Sequence, residues 1–193
     1  MINLILFGKP GSGKGTQAEF VKKKFKLVHI STGDVFRTNI SNNTELGVLA
    51  KSYMDSGELV PDDVTIKMLE SEVKKNLDAK GFIFDGFPRT IKQAKILDKF
   101  LENQNMQITM TIALDVDEEI LLKRLLNRGK QSGRVDDQDE HKILNRFKEY
   151  NKKTSPLIDF YEKQNKFYQV DGSGTIDEIT DRIYMTIDNF KND

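Results

Sequence analysis

The chain has no cysteine, only two histidines and no surplus of either charge, with 30 Lys and Arg against 30 Asp and Glu. Without cysteine there is no disulfide and no thiolate-ligated zinc or iron–sulfur centre, which suits a reducing compartment. The balanced charge removes the polybasic field of nucleic-acid and anionic-membrane binders, so any bound anion must be held locally. No run of 18 apolar residues occurs, and the N-terminal stretch lacks the basic flank and apolar length of a signal segment. The expectation is a cytoplasmic protein with neither nucleic acid nor membrane as partner. Arginine is also scarce, confined to Arg37, Arg89, Arg124, Arg128, Arg134, Arg146 and Arg182. Lysine does the ordinary solvating, so each planar, bidentate guanidinium calls for a reason.

The 193 residues suffice for one domain with a real core. Five short apolar runs lack helical period: INLILF (2–7), LVHI (27–30), FIFD (82–85), MTIALDV (110–116) and KFYQV (166–170). Glycine, Asp or polar clusters flank them, the profile of strands buried on both faces. Helical patterns fit 14–25, 33–40, 61–78, 90–103, 117–128, 138–152 and 175–190, with Pro156 interrupting the stretch before the last strand. In the 61–78 segment Pro61 falls at the first helical position, and Ile66, Leu69, Val73 and Leu77 share a face. This alternation predicts an α/β fold, a five-stranded parallel sheet covered on both sides by helices. Two places break it: two helical pieces separate the second strand from the third, and 127–137 reads as a polar, glycine-containing loop. Such insertions overhang the carboxyl ends of the strands, where ligands bind.

The stretch GKPGSGKGTQ (8–17) leaves the first strand and opens a helix. That is the context a phosphate-binding loop requires: glycines turn successive N–H groups inward, the helix N-terminus adds its positive end, and Lys14 reaches terminal phosphates. The hydroxyl that usually follows the lysine arrives one place late, at Thr16, because Gly15 intervenes. The third strand ends FIFDGFPRT (82–90), so Asp85 is the candidate Mg²⁺ carboxylate, acting directly or through water. Arg89 is delivered to the same edge. Arg124 and Arg128 are four apart on one helix and predicted to converge on one phosphate chain. Arg134 and Arg146 complete a set suited to phosphoryl transfer, where catalysis is mostly positioning and electrostatics. Arg182 is expected at the surface.

Taken in order, GKPGSGKGTQ, ISTGDVFR (30–37), SGELVPD (56–62), DGFPRT (85–90), RGKQSGRVDD (128–137) and the spaced Arg146 resemble the adenylate kinase family of nucleoside monophosphate kinases. The likeness covers nearly the whole chain. It implies a core of 1–30, 61–126 and 138–193, a helical monophosphate-binding insertion at 31–60, and a short lid at 127–137. The long lid, sometimes zinc-bearing, is absent, so no zinc is expected. By the resemblance, Gly11, Ser12, Gly13, Lys14, Gly15 and Thr16 cradle the ATP phosphates. Arg128 reaches them from the lid, and the Gly174 backbone borders the ATP adenine. Thr32, Arg37, the backbone of Glu58, Leu59 and Val60, the stretch Gly86, Phe87, Pro88 and Arg89, and Gln93 hold AMP. Arg134 and Arg146 bridge to its phosphate. Thr32, where UMP- and CMP-selective enzymes tend to carry Ala, tilts the acceptor towards AMP. Gln93, offering a donor and an acceptor together, agrees.

The implied reaction is reversible transfer from Mg·ATP to AMP giving two ADP, by a monomer, with Lys14, Arg89, Arg124, Arg128, Arg134 and Arg146 neutralising the moving group. The acceptor is a phosphate oxygen whose second pKa is about 6, so no general base is needed. His29 and His141 read as structural or solvated. Alternatives remain open: a UMP/CMP kinase on the same scaffold, a GTPase-like switch (against which no N-K-x-D guanine signature is present), or an inactive nucleotide sensor. Thr32 could equally cap a helix, and Gln93 could be an exposed helix residue.

Overall fold

The computed structural model describes residues 1–192. It contains one sheet of β1 (Ile2–Phe7), β2 (Val28–Ser31), β3 (Gly81–Asp85), β4 (Met110–Asp115) and β5 (Phe167–Asp171). Every pairing is parallel and the order is β2-β3-β1-β4-β5, so the α/β sheet expected from the alternation is present. Side chains alternate along each strand, and both faces are apolar. Ile5, Phe7, Phe82 and Phe84 pack under α4 (Asp62–Lys74), α5 (Ile91–Glu102) and α8 (Leu157–Glu162). Leu4, Leu6, Ile83 and Ile112 pack under α1 (Lys14–Phe25) and α9 (Ile176–Asn192). Burial on two sides explains why these strands read as continuous hydrophobic runs. The chain leaves central β1 for β2 at one edge and later crosses to β4 on the other side, so the carboxyl end of β1 marks a topological switch point.

Two smaller cores stand above that edge. Phe36, Ala50, Val60 and Met68 join α2 (Thr32–Ser41) and α3 (Glu45–Met54) to α4. Leu121, Leu125, Ile143 and Phe147 join α6 (Glu118–Ser132) to α7 (Glu140–Glu149). The first arm holds one helix more than two helical pieces account for. Thr44 accepts from the Gly47 N–H and starts α3 with only a brief turn after α2. A side chain on Gly47 would meet the Asn39 carbonyl at 2.1 Å, so glycine is what lets the two helices cross closely. The helix expected to reach residue 78 stops at Lys74, leaving Leu77 exposed, and Pro61 is its cap while Asp62 is its first residue.

The expected polar loop at 127–137 is largely helix. Residues 129–132 extend α6 because Lys and Gln are good helix formers, and Gly129 is tolerated because the segment packs on it: an added Cβ would lie 2.6 Å from the Asp137 carbonyl. Gly133, at φ 69°, ends the helix, and a single 3-10 turn (Val135–Asp137) leads into α7. After α7 the chain widens into a π turn (Tyr150–Thr154), and Pro156 caps α8.

Candidate active site

A cavity of about 570 Å³ opens over the carboxyl ends of β1 and β3. The loop from Gly8 to Gly13 forms its floor. Gly8 must be glycine: its φ is +141°, and a Cβ would lie 2.5 Å from Ser12 Oγ and 2.9 Å from the Leu114 carbonyl. Gly13, at φ +94°, caps α1 without a side-chain hydrogen bond, leaving the helix N-terminus open to an anion. Lys14 folds back over this loop, donating from Nζ to the Gly8 carbonyl at 2.7 Å and the Lys9 carbonyl at 3.1 Å. Burial opposes its positive charge, and Arg89, Arg146 and Arg128 oppose it further, while Asp85 favours it. The net effect lowers its pKa from 10.5 to about 8.

Arg89 lies on the opposite wall with its Nε donating to the Gly86 carbonyl at 2.7 Å. Burial and the neighbouring Arg146 lower its pKa to about 10, with Asp85 acting the other way. Arg37, Arg128, Arg134 and Arg146 line the same cavity, so five of the seven arginines meet there. Arg124 does not line it. Its side chain is half-buried on α6, one turn before Arg128. Arg182 is more than a surface residue: it donates to the carbonyls of Asp171 at 2.8 Å and Ser173 at 2.7 Å, tying down the loop that carries Gly174. Gly174 itself, at φ +101°, lies outside the cavity lining.

The arginines are held by carboxylates that reading the sequence for phosphate ligands passes over. Asp137 has no exposed surface. Arg128 donates to it from Nε at 2.6 Å and from a terminal nitrogen at 3.1 Å, and Arg146 donates to it at 2.6 Å. Burial pushes the Asp137 carboxyl up, but Arg128 and Arg146 outweigh it and hold the group below its usual range. Asp34 pairs with Arg37 and stands 3.8 Å from Arg134, again with the arginines outweighing burial to lower its pKa. The only signal for these two acids was their place inside arginine-bearing motifs.

Asp85 is nearly buried at the end of β3, and His29 Nε2 faces its Oδ2 at 3.5 Å while Nδ1 lies 3.2 Å from Glu19. Burial lowers the His29 pKa, yet the two carboxylates prevail and raise it. His141 is exposed on α7. Among the described residues no three His, Cys, Asp or Glu side chains gather into a metal cluster. A lone carboxylate beside a phosphate loop suits a cation that keeps most of its ligands as water and phosphate oxygen.

A smaller recess adjoins the main cavity, lined by Thr32, Gly33, Phe36, Leu59, Val60 and Gln93 among others. Ser31, not Thr32, caps α2. The Thr32 hydroxyl donates instead to the Gly86 carbonyl at 2.9 Å. Gln93 is 2% exposed, which disposes of a solvated role. Gln17 and Thr154 make contacts that carry no chemical signature in the sequence. Gln17 is buried and binds α9 through Ile176 and Thr180, and Thr154 donates to the Arg89 carbonyl at 3.0 Å.

A parallel sheet with a glycine-rich phosphate loop at its switch point, a lysine in the loop and arginines on two covering arms defines a nucleotide-dependent phosphotransferase. The adenylate kinase family model matches residues 6–166. The adenylate kinase of Flavobacterium psychrophilum is 64% identical over 98% of this chain and 100% of its own length. That of Flavobacterium johnsoniae is 62% identical over the same shares, and that of Bacteroides thetaiotaomicron 47% over 97% and 99%. The chain therefore belongs to the adenylate kinase family, whose reaction is phosphoryl transfer between ATP and AMP. No helix among the described residues is long and apolar enough to cross a membrane.

Proposed function

We propose that this chain moves the phosphoryl group by direct in-line displacement. ATP sits on the loop formed by Gly11, Ser12, Gly13, Lys14, Gly15 and Thr16, and AMP sits on the side of Thr32, Arg37, Glu58, Leu59, Val60, Gln93 and the stretch Gly86, Phe87, Pro88 and Arg89. The convergence of Lys14, Arg89, Arg128, Arg134 and Arg146 on one cavity carries this reading. Charge spreads over the equatorial oxygens of the moving group, and cations placed in advance stabilise that spread without reorganising. Lys14 and Arg89 are suited to this because both are partly buried, and desolvation is the main cause of their lowered pKa values. Asp85 would hold Mg²⁺ through water, and the ion, when bound with ATP, screens the phosphates and orients them. Closure of the α6–α7 arm, with residues 127–137 as its lid, excludes water as a competing acceptor. Arg124 acts only from a more closed arm, where it can reach the nucleotide; the Gly174 backbone borders the donor base. The enzyme works as a cytoplasmic monomer.

The test is purified protein with Mg·ATP and, separately, AMP, UMP, CMP, GMP or no acceptor, following diphosphate products. Rapid ADP formation with AMP is expected. Preference for UMP or CMP would overturn the acceptor assignment, and ATP loss indifferent to acceptor would overturn the mechanism.

A further inference from the structure

The Gln93 amide is engaged at both ends by groups of fixed polarity. Its Nε2 donates to Asp62 Oδ1 at 2.7 Å, and its Oε1 accepts from the Arg89 backbone N–H at 2.7 Å. An amide side chain is nearly symmetric in shape, so its two orientations differ only by the partners it meets. Here they are not interchangeable. An ionised carboxylate can only accept and a backbone N–H can only donate, so turning the amide over would set N–H against N–H and oxygen against oxygen. Asp62 is held in turn by Thr90, whose hydroxyl lies 3.4 Å from its Oδ2 and also accepts from the Gln93 backbone N–H at 3.1 Å. After these bonds one N–H and one lone pair remain on the amide, which lines the recess beside Thr32 and Val60.

We propose that Asp62 is a positioning residue for acceptor choice: together with the Arg89 N–H it locks the Gln93 amide, so that the recess distinguishes a 6-amino from a 6-oxo purine. This rests on the reading of Gln93 as the side chain that meets the acceptor base. Adenine presents a donor, its exocyclic amino group, beside an acceptor, N1. Hypoxanthine presents the reverse, an acceptor at O6 beside a donor at N1. An amide free to turn over serves both patterns, and a locked one serves one. Cytosine and uracil repeat the same opposition, so the lock also sets which pyrimidine could be tolerated.

Asp62 also sits in the first turn of α4, where its charge favours the helix, so lost stability or turnover alone would say nothing. The discriminating readout is the ratio of kcat/KM for AMP to that for IMP, measured with the full chain. Asp62→Asn keeps the shape but can pair with either end of the amide. It is expected to lower the ratio by about tenfold, the value of one hydrogen bond. Gln93→Leu should lower it as well, and adding Asp62→Asn to Gln93→Leu should change it no further, the signature of a residue acting through another. A ratio unchanged in Asp62→Asn but lowered in Gln93→Leu overturns the lock alone. A ratio unchanged in Gln93→Leu overturns the underlying reading of Gln93, and the lock with it.

Discussion

Lys14 and Arg89 are placed at a cost to the ligand-free fold. Lys14 releases its proton at about 8 when folded, whereas the unfolded chain keeps it to 10.5. Between those values the unfolded state binds more protons, so folding stability rises with pH as the burden of a buried ammonium is lifted. The contribution is on the order of 2 kcal/mol between pH 7.5 and 9.5. Urea unfolding at the two pH values should show that rise in the wild type relative to Lys14→Met, and parallel behaviour of the two proteins would refute it. For Arg89→Ala, kcat should fall by about 10³-fold or more, since a preorganised charge is lost where charge develops. Its melting temperature should hold or increase, because a desolvated cation is removed. Ordinary turnover, or early melting, would remove Arg89 from the mechanism. The placement of both residues at the strand ends was legible in the sequence from GKPGSGKGT and DGFPRT. Their depressed pKa values were not, because desolvation depends on neighbours far away in the chain.

The α6–α7 arm depends on Asp137. It is fully buried between two guanidinium groups, and both its oxygens are used. Replacing it with Asn leaves Arg128 and Arg146 facing a neutral amide, which should destabilise the protein by about 2 kcal/mol, with the arginines' partial exposure limiting the loss. In a protein of this size that lowers Tm by about 4–8 °C, measurable by calorimetry without nucleotide. Turnover should drop as well, because Arg128 and Arg146 lose their orientation. An unshifted Tm would mean the arm is held by its apolar contacts alone. Here the sequence was only partly legible. The pattern of apolar residues located the strands well, since burial on both faces fills the central ones with apolar side chains. It ended α6 four residues early at 128, because polar helix formers around Gly129 resemble a loop until the packing of Asp137 on that glycine is seen. It also missed α3, whose start rests on one threonine cap and one close glycine contact.

Across the molecule, two arms with their own small cores face each other over a cavity crowded with cations, and Asn145 of α7 already donates to the Ser56 carbonyl across the gap at 2.9 Å. A ligand that supplies phosphate charge to both walls should therefore stabilise the whole fold. Saturating Mg·ATP at about 100 times its dissociation constant adds about 2.7 kcal/mol through linkage, a Tm rise of about 5–10 °C. The rise should nearly vanish in Lys14→Met. A wild-type Tm indifferent to nucleotide would contradict the site.

The parallel sheet, the glycine-rich loop, the aspartate ending β3 and the arginines were all written locally, in short motifs of particular residue types at fixed spacing. What the order of residues could not express was which groups hold those side chains. Asp137 bridging two arginines, Arg182 tying the loop before α9, and Asp62 meeting Gln93 from 31 residues away all arise where separate elements meet. Charge pairing and desolvation act through space, so they appear only once the chain has folded its elements together.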